Sequence, residues 1–179
     1  MRGHTVTEQP VFTDLGFTDA EWGLLVGLPQ AVLLAASAVE HDSARRTIAE
    51  NAAGVAAIAD ARESANALVA AVAAEIVTRL GDPEEGEELA GMPQELPAFA
   101  PADPEALVAD VLEQARSAAQ LLASRGDEAQ ATAYKHWLVT IADEVVNAAS
   151  SGGVLGIGGT VMSDAERSFR DDLAQVLND

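Results

Sequence analysis

The sequence predicts an all-α fold, a compact bundle of five to six helices carrying one long acidic, Pro/Gly-rich insertion. Three observations predict it. Ala and Val dominate a hydrophobic fraction of 49%, while aromatics make up only 4%. Ala has the highest helix propensity and lets helices approach closely. Apolar residues recur at helical spacing through most of the chain, and no segment alternates long enough to read as a strand. Cap and stop residues punctuate those periodic segments.

Each helix has its own justification. Residues 1–17 read as an irregular N-terminal arm, which Phe12, Leu15 and Phe17 can pin to the body. Thr18-Asp19-Ala20-Glu21 is a capping box that opens the first helix. Trp22, Leu25, Val26, Val32, Leu33 and Ala36 share one face of it. Pro29 removes a backbone donor in its middle, so a kink or break is expected near Gly27. A second helix is expected from about Asp42-Ser43 to Asp60, with Ala44, Ile48, Ala52, Val55 and Ala59 inward and Arg45, Arg46 and Glu50 outward. A third, from about Glu63 to Leu80, carries Leu68, Val69, Val72, Ala73, Ile76 and Val77. No Gly or Pro separates the two, which leaves open whether 43–60 and 63–80 form one helix or two.

Residues 81–103 hold seven Pro/Gly breakers, Gly81, Pro83, Gly86, Gly91, Pro93, Pro97 and Pro101, with many carboxylates, and are expected to form a mobile insertion. Asp103 then caps a helix with Pro104 in its first turn, and Gly126 ends it. Asp127 caps the next helix, placed at about 128–150, where Tyr134, Trp137, Leu138, Ile141 and Val145 share a face. Ser163-Asp164-Ala165-Glu166 is a second capping box, opening a terminal helix through Phe169, Leu173, Val176 and Leu177. The whole of 1–179 reads as a single helical domain.

Charge and composition exclude several function classes. The formal net charge is −19, from 29 acidic and 10 basic residues. Such a surface is repelled by phosphate backbones and anionic lipid, so neither nucleic acid nor a membrane is an expected partner. Trp22 to Val39 carries no charge and has the length of a bilayer span. Its Gly, Pro, Gln and Ser content, and the acidic residues before it, favour a core helix. There is no cysteine, which removes disulfides and thiolate chemistry and suits a cytoplasmic setting.

The histidines are His4, His41 and His136. None lies in the Glu-x-x-His spacing of a di-iron bundle, so no metal and no cofactor is expected. The acidic insertion lacks the alternating ligands of an EF-hand. No serine sits in a nucleophile motif, and the balance leans away from an enzyme. His136 lies one position off the apolar face of its helix and can pair with Asp143 two turns on.

The most distinctive segment is Gly152-Gly153-Val154-Leu155-Gly156-Ile157-Gly158-Gly159. Glycines ahead of a helix N-terminus can turn backbone N–H groups toward an anion. The Lys of a P-loop is missing, however, and the segment follows a helix rather than a strand. Val154, Leu155 and Ile157 favour an apolar loop packed on the bundle, with ligand or partner contact as the alternative. Lys135-His136-Trp137-Leu138, this Gly-rich segment and Ser163-Asp164-Ala165-Glu166 together resemble the C-terminal part of a group of uncharacterised bacterial all-helical proteins, over about Tyr134 to Val176. The resemblance implies a loop joining the last two helices and no known activity.

Two functional expectations follow. The first is a non-enzymatic interaction or assembly module of the bacterial cytoplasm, binding a protein partner or forming a homo-oligomer. The alternative is a small-ligand-binding protein or enzyme with its site under the Gly-rich loop near His136. The candidate contact residues are Gly152, Gly153, Leu155, Gly158, Gly159 and His136.

Overall fold

A reciprocal capping box starts the first helix. The Thr18 N–H donates to the Glu21 carboxylate at 2.8 Å, and the Glu21 N–H donates to the Thr18 hydroxyl at 3.3 Å. The first of these bonds holds the Glu21 carboxyl below its usual range. The computed structural model describes residues 15–39, 44–80, 103–150 and 162–179. Within them are six helices: α1 Asp19–Ala38, α2 Ala44–Asp60, α3 Ala67–Leu80, α4 Pro104–Arg125, α5 Glu128–Ser150 and α6 Asp164–Asn178. No strand occurs among the described residues, so the fold is all-α. The insertion, except Asp103, and the N-terminal arm up to residue 14 lie outside the described residues.

The remaining cap signals act as the sequence indicates. Asp103 accepts from the Ala106 N–H at 3.1 Å, Asp127 from the Gln130 N–H at 3.0 Å, and Ser163 from the Glu166 N–H at 3.1 Å. Gly126 ends α4 at φ 76°, a left-handed conformation that glycine adopts without steric cost.

The stop between α2 and α3 uses no Gly or Pro. A 3-10 turn, Ala61–Glu63, closes α2. Ser64 then accepts the Asn66 N–H at 3.2 Å, and the Asn66 side chain accepts the Val69 N–H at 3.2 Å. Short polar side chains that compete for backbone donors thus separate two helices.

The centre of the bundle is the pair α1 and α5, each packed on most of the other helices. All six residues assigned to the inner face of α1 are buried, from Trp22 to Ala36. Among the described residues α1 is the one helix long and apolar enough to cross a membrane, and half of its apolar window is buried inside the bundle.

Pro29 does not break α1, which is one helix from Asp19 to Ala38. The expected break near Gly27 is therefore corrected. Proline at 29 deprives the Leu25 carbonyl, four residues back, of its helical donor. The buried hydroxyl of Tyr134 on α5 donates to that carbonyl at 2.7 Å. A side chain from the neighbouring helix thus satisfies the acceptor that the proline leaves open. Burial pushes the Tyr134 phenol well above its usual value, so it remains a protonated donor.

The orientation of α2 is a second correction. Ile48 is 64% exposed and Val55 36%, whereas Glu50 is buried at 3%. Ala52 is also exposed, and of the expected inward set only Ala59 is found buried. Gly54 is the physical reason. A Cβ there would lie 2.5 Å from Leu33 Cδ1, 2.6 Å from Leu33 Cγ and 2.9 Å from a Val145 methyl. The helix enters the core through its glycine, letting α1 and α5 close on its backbone. Gly54→Ala is therefore expected to destabilise the domain despite its better helix propensity. Overpacking costs about 1–3 kcal/mol against a propensity gain of about 1 kcal/mol. A denaturant melt showing a stabilised variant would refute this packing.

Candidate functional site

Trp137 and His136 are consecutive on α5, and helical geometry sends them different ways. Trp137 is buried at 7%, in edge contact with Tyr134 at 5.9 Å between ring centroids. Its Nε1–H donates to the Ala57 carbonyl of α2 at 3.4 Å. His136 is exposed, and the Thr140 hydroxyl lies 3.5 Å from its Nδ1 and donates to its backbone carbonyl at 3.0 Å.

These two residues help to line an open groove of about 1010 Å³ between the C-terminal end of α2, the turn after it, the start of α3 and the N-terminal half of α5. Its lining includes Ala57, Ala61, Ala129 and Ala133, with Asp60 and Glu128 adding carboxylates. The Asn66 amide, just before α3, ties this region to α5 by donating to the Ala129 carbonyl at 3.4 Å. The groove is largely apolar, and no cluster of three or more metal-ligating side chains occurs among the described residues. The Thr140 hydroxyl, 3.5 Å from the His136 ring, directs its hydrogen to the His136 backbone carbonyl.

His136 does not meet Asp143. That carboxylate accepts from the Arg170 guanidinium of α6 at 2.9 Å, tying α6 to α5. His136 is an exposed boundary residue facing Thr140, and the pairing with Asp143 that its spacing allows is not formed, because Asp143 turns toward the last helix.

Of the candidate contact residues, His136 lies on the groove wall. Gly152, Gly153, Leu155, Gly158 and Gly159 lie outside the described residues, as do His4 and His41. The described part of α5 ends at Ser150, fourteen residues beyond His136, or about 21 Å along the helix at 1.5 Å per residue.

The second surface feature was not indicated by the sequence. Among the described residues, the large exposed hydrophobics, Leu34, Ile48 and Val55, all belong to the α1–α2 pair. The Ser37 hydroxyl of α1 donates to the Asn51 side-chain oxygen of α2 at 3.2 Å, and Leu33 packs at Gly54. On α2 the exposed positions Ile48, Ala49, Ala52, Val55 and Ala56 recur with helical period and carry no charge. A continuous apolar stripe thus faces solvent on a chain of net charge −19. The signal that could have found it is Gly54, whose position marks the opposite face as the side of closest approach. No protein-family model, curated protein or solved structure matches the chain.

Proposed function

We propose that the protein is a non-enzymatic interaction or assembly module that docks through the exposed face of the α1–α2 pair. The observation that carries this reading is the solvent-facing stripe of Ile48, Ala52 and Val55 on α2, with Leu34 also exposed on α1. Exposed apolar side chains grouped on one helix face favour removal from water by a partner, at about 25 cal/mol per Å². A charge-free stripe also imposes no cost for burying an ion.

The double variant Ile48→Asp with Val55→Asp tests it. Both sites are exposed, so stability should change by no more than about 0.5 kcal/mol per site. In extract from the native host, the wild-type chain should elute in gel filtration well above its 18.5 kDa monomer mass, and the double variant as the monomer. A wild-type chain already eluting as a monomer, or a double variant of unchanged size, would remove the basis for the reading.

A small-ligand reading attaches to the groove beside His136, favoured by its apolar lining with Asp60, Glu128 and His136 among the lining residues. It requires an added mass on the native protein in mass spectrometry that Ala133→Trp, by filling the groove, abolishes.

A further inference from the structure

The exposed positions of α2 have an internal symmetry. Ile48 and Ala56 lie four residues either side of Ala52, and Ala49 and Val55 lie three either side. The large and small members alternate: a large residue at 48 mirrors a small one at 56, and a small one at 49 mirrors a large one at 55. A helix face that reads large–small before a point and large–small again after it is complementary to its own copy run antiparallel. We infer that the occupant of this face is a second copy of the chain, paired α2 against α2 in antiparallel register about a two-fold axis at Ala52. This inference rests on the docking reading above and names its partner.

In that register Ile48 of each copy seats over the partner's Ala56, and Val55 over the partner's Ala49. Ala52 meets its own copy, and the small side chain at the axis permits close approach of the two helices. A parallel pairing would set Ile48 against Ile48 and Val55 against Val55, stacking large on large and small on small. Helix dipoles favour the antiparallel arrangement as well.

The net charge of −19 per chain adds a signature. Two such bodies repel at long range while the stripe itself is uncharged, so self-association should strengthen as salt screens the repulsion. A basic partner on an acidic protein would show the opposite salt dependence.

The absence of cysteine makes the register directly testable. Helices packed about 8–10 Å apart, with Cα atoms about 2.3 Å from each axis, bring residues on the two-fold axis to about 3.4–5.4 Å between Cα atoms. That range overlaps the separation a disulfide spans. Ala52→Cys should therefore oxidise to a covalent dimer, faster at 0.5 M salt than at low salt, while Glu113→Cys on exposed α4 should not. Mixed Ile48→Cys and Ala56→Cys chains should cross-link to each other in preference to themselves. Sedimentation of the wild-type chain should show a dimer whose dissociation constant rises about tenfold or more with Ile48→Asp.

Three outcomes would overturn the inference. One is a wild-type chain that stays monomeric in sedimentation at every salt concentration while Ala52→Cys reacts rapidly with a maleimide. The face is then open and takes something other than itself, and the wider docking reading stands or falls on the gel filtration in extract. Another is a folded monomer in which Ala52→Cys resists maleimide, because the chain then covers the face itself and both readings fail. The last is a dimer in which Ile48→Cys cross-links to itself more readily than to Ala56→Cys, which denies the antiparallel register.

Discussion

Trp137→Ala is expected to lower the unfolding free energy by about 3–5 kcal/mol, the range for deleting a large buried aromatic. Small domains have about 5–15 kcal/mol in total, so this one change should remove a large part of the stability. The magnitude has identifiable sources. The indole is buried at 7% and its ring lies edge-on to Tyr134. Its Nε1–H is also a direct tie to α2 through Ala57. The neighbourhood is rich in alanine, whose short side chains have no rotamers with which to collapse into the space. Trp137→Phe keeps most of the volume and should cost below about 2 kcal/mol, mainly the lost hydrogen bond and residual void. Chemical denaturation followed by circular dichroism measures both. A loss below about 1 kcal/mol for Trp137→Ala would place the indole outside the core.

The second large effect is expected at Tyr134. Tyr134→Phe removes one oxygen and leaves the buried Leu25 carbonyl without its donor, at a cost of about 1–3 kcal/mol. The structure makes a sharper demand than the magnitude. The carbonyl needs Tyr134 because residue 29 is proline. In a Pro29→Ala background the amide at 29 can supply the helical hydrogen bond, and Tyr134→Phe should then cost less than half as much. A double-mutant cycle reads this coupling directly. Additive effects would show that the hydroxyl serves some other purpose. The same group sets an alkaline limit. Its phenol is raised by burial, so its contribution is complete below the unfolded value of about 10. It declines as pH climbs from there toward the folded value. Tyr134→Phe should flatten that part of the stability profile.

Much of the fold is legible in the sequence because its signals are local. Thr18 with Glu21, Asp103 with Pro104, Asp127, and Ser163 with Glu166 each satisfy donors within their own helix turn. No distant partner is needed for such a signal to work. The inner faces of α1, α3 and α5 are equally legible, since long apolar side chains at helical spacing have one favourable side. The break between α2 and α3 is less so. Ser64 and Asn66 compete weakly with a helix, and their geometry becomes decisive only once the flanking segments pack.

The candidate site divides differently. His136 is visible in the sequence as a boundary residue, yet its groove is made by three other segments brought alongside α5. The pairing of Asp143 with Arg170 spans two helices, and helical spacing on α5 alone could not have chosen it over His136. The α2 stripe is hidden for a stronger reason. A single-helix reading assigns Ile48 and Val55 to the interior because it weighs side chains by hydrophobicity. A glycine contributes nothing to that weighting.

The sequence by itself determined the helical class, the helix ends and the inward faces of the large-residue helices. Each of these follows from interactions within a turn or from burial of long side chains on one stripe. Only the tertiary structure decided three things: that Pro29 is tolerated within α1, which way α2 faces, and which surface stays apolar and open. All three depend on how closely two helices approach. Tyr134 can reach the Leu25 carbonyl, and Leu33 and Val145 can close on Gly54, only when α1, α2 and α5 are packed together. Backbone acceptors and missing Cβ atoms exert their effect across that distance, and neither leaves a trace in hydrophobic periodicity.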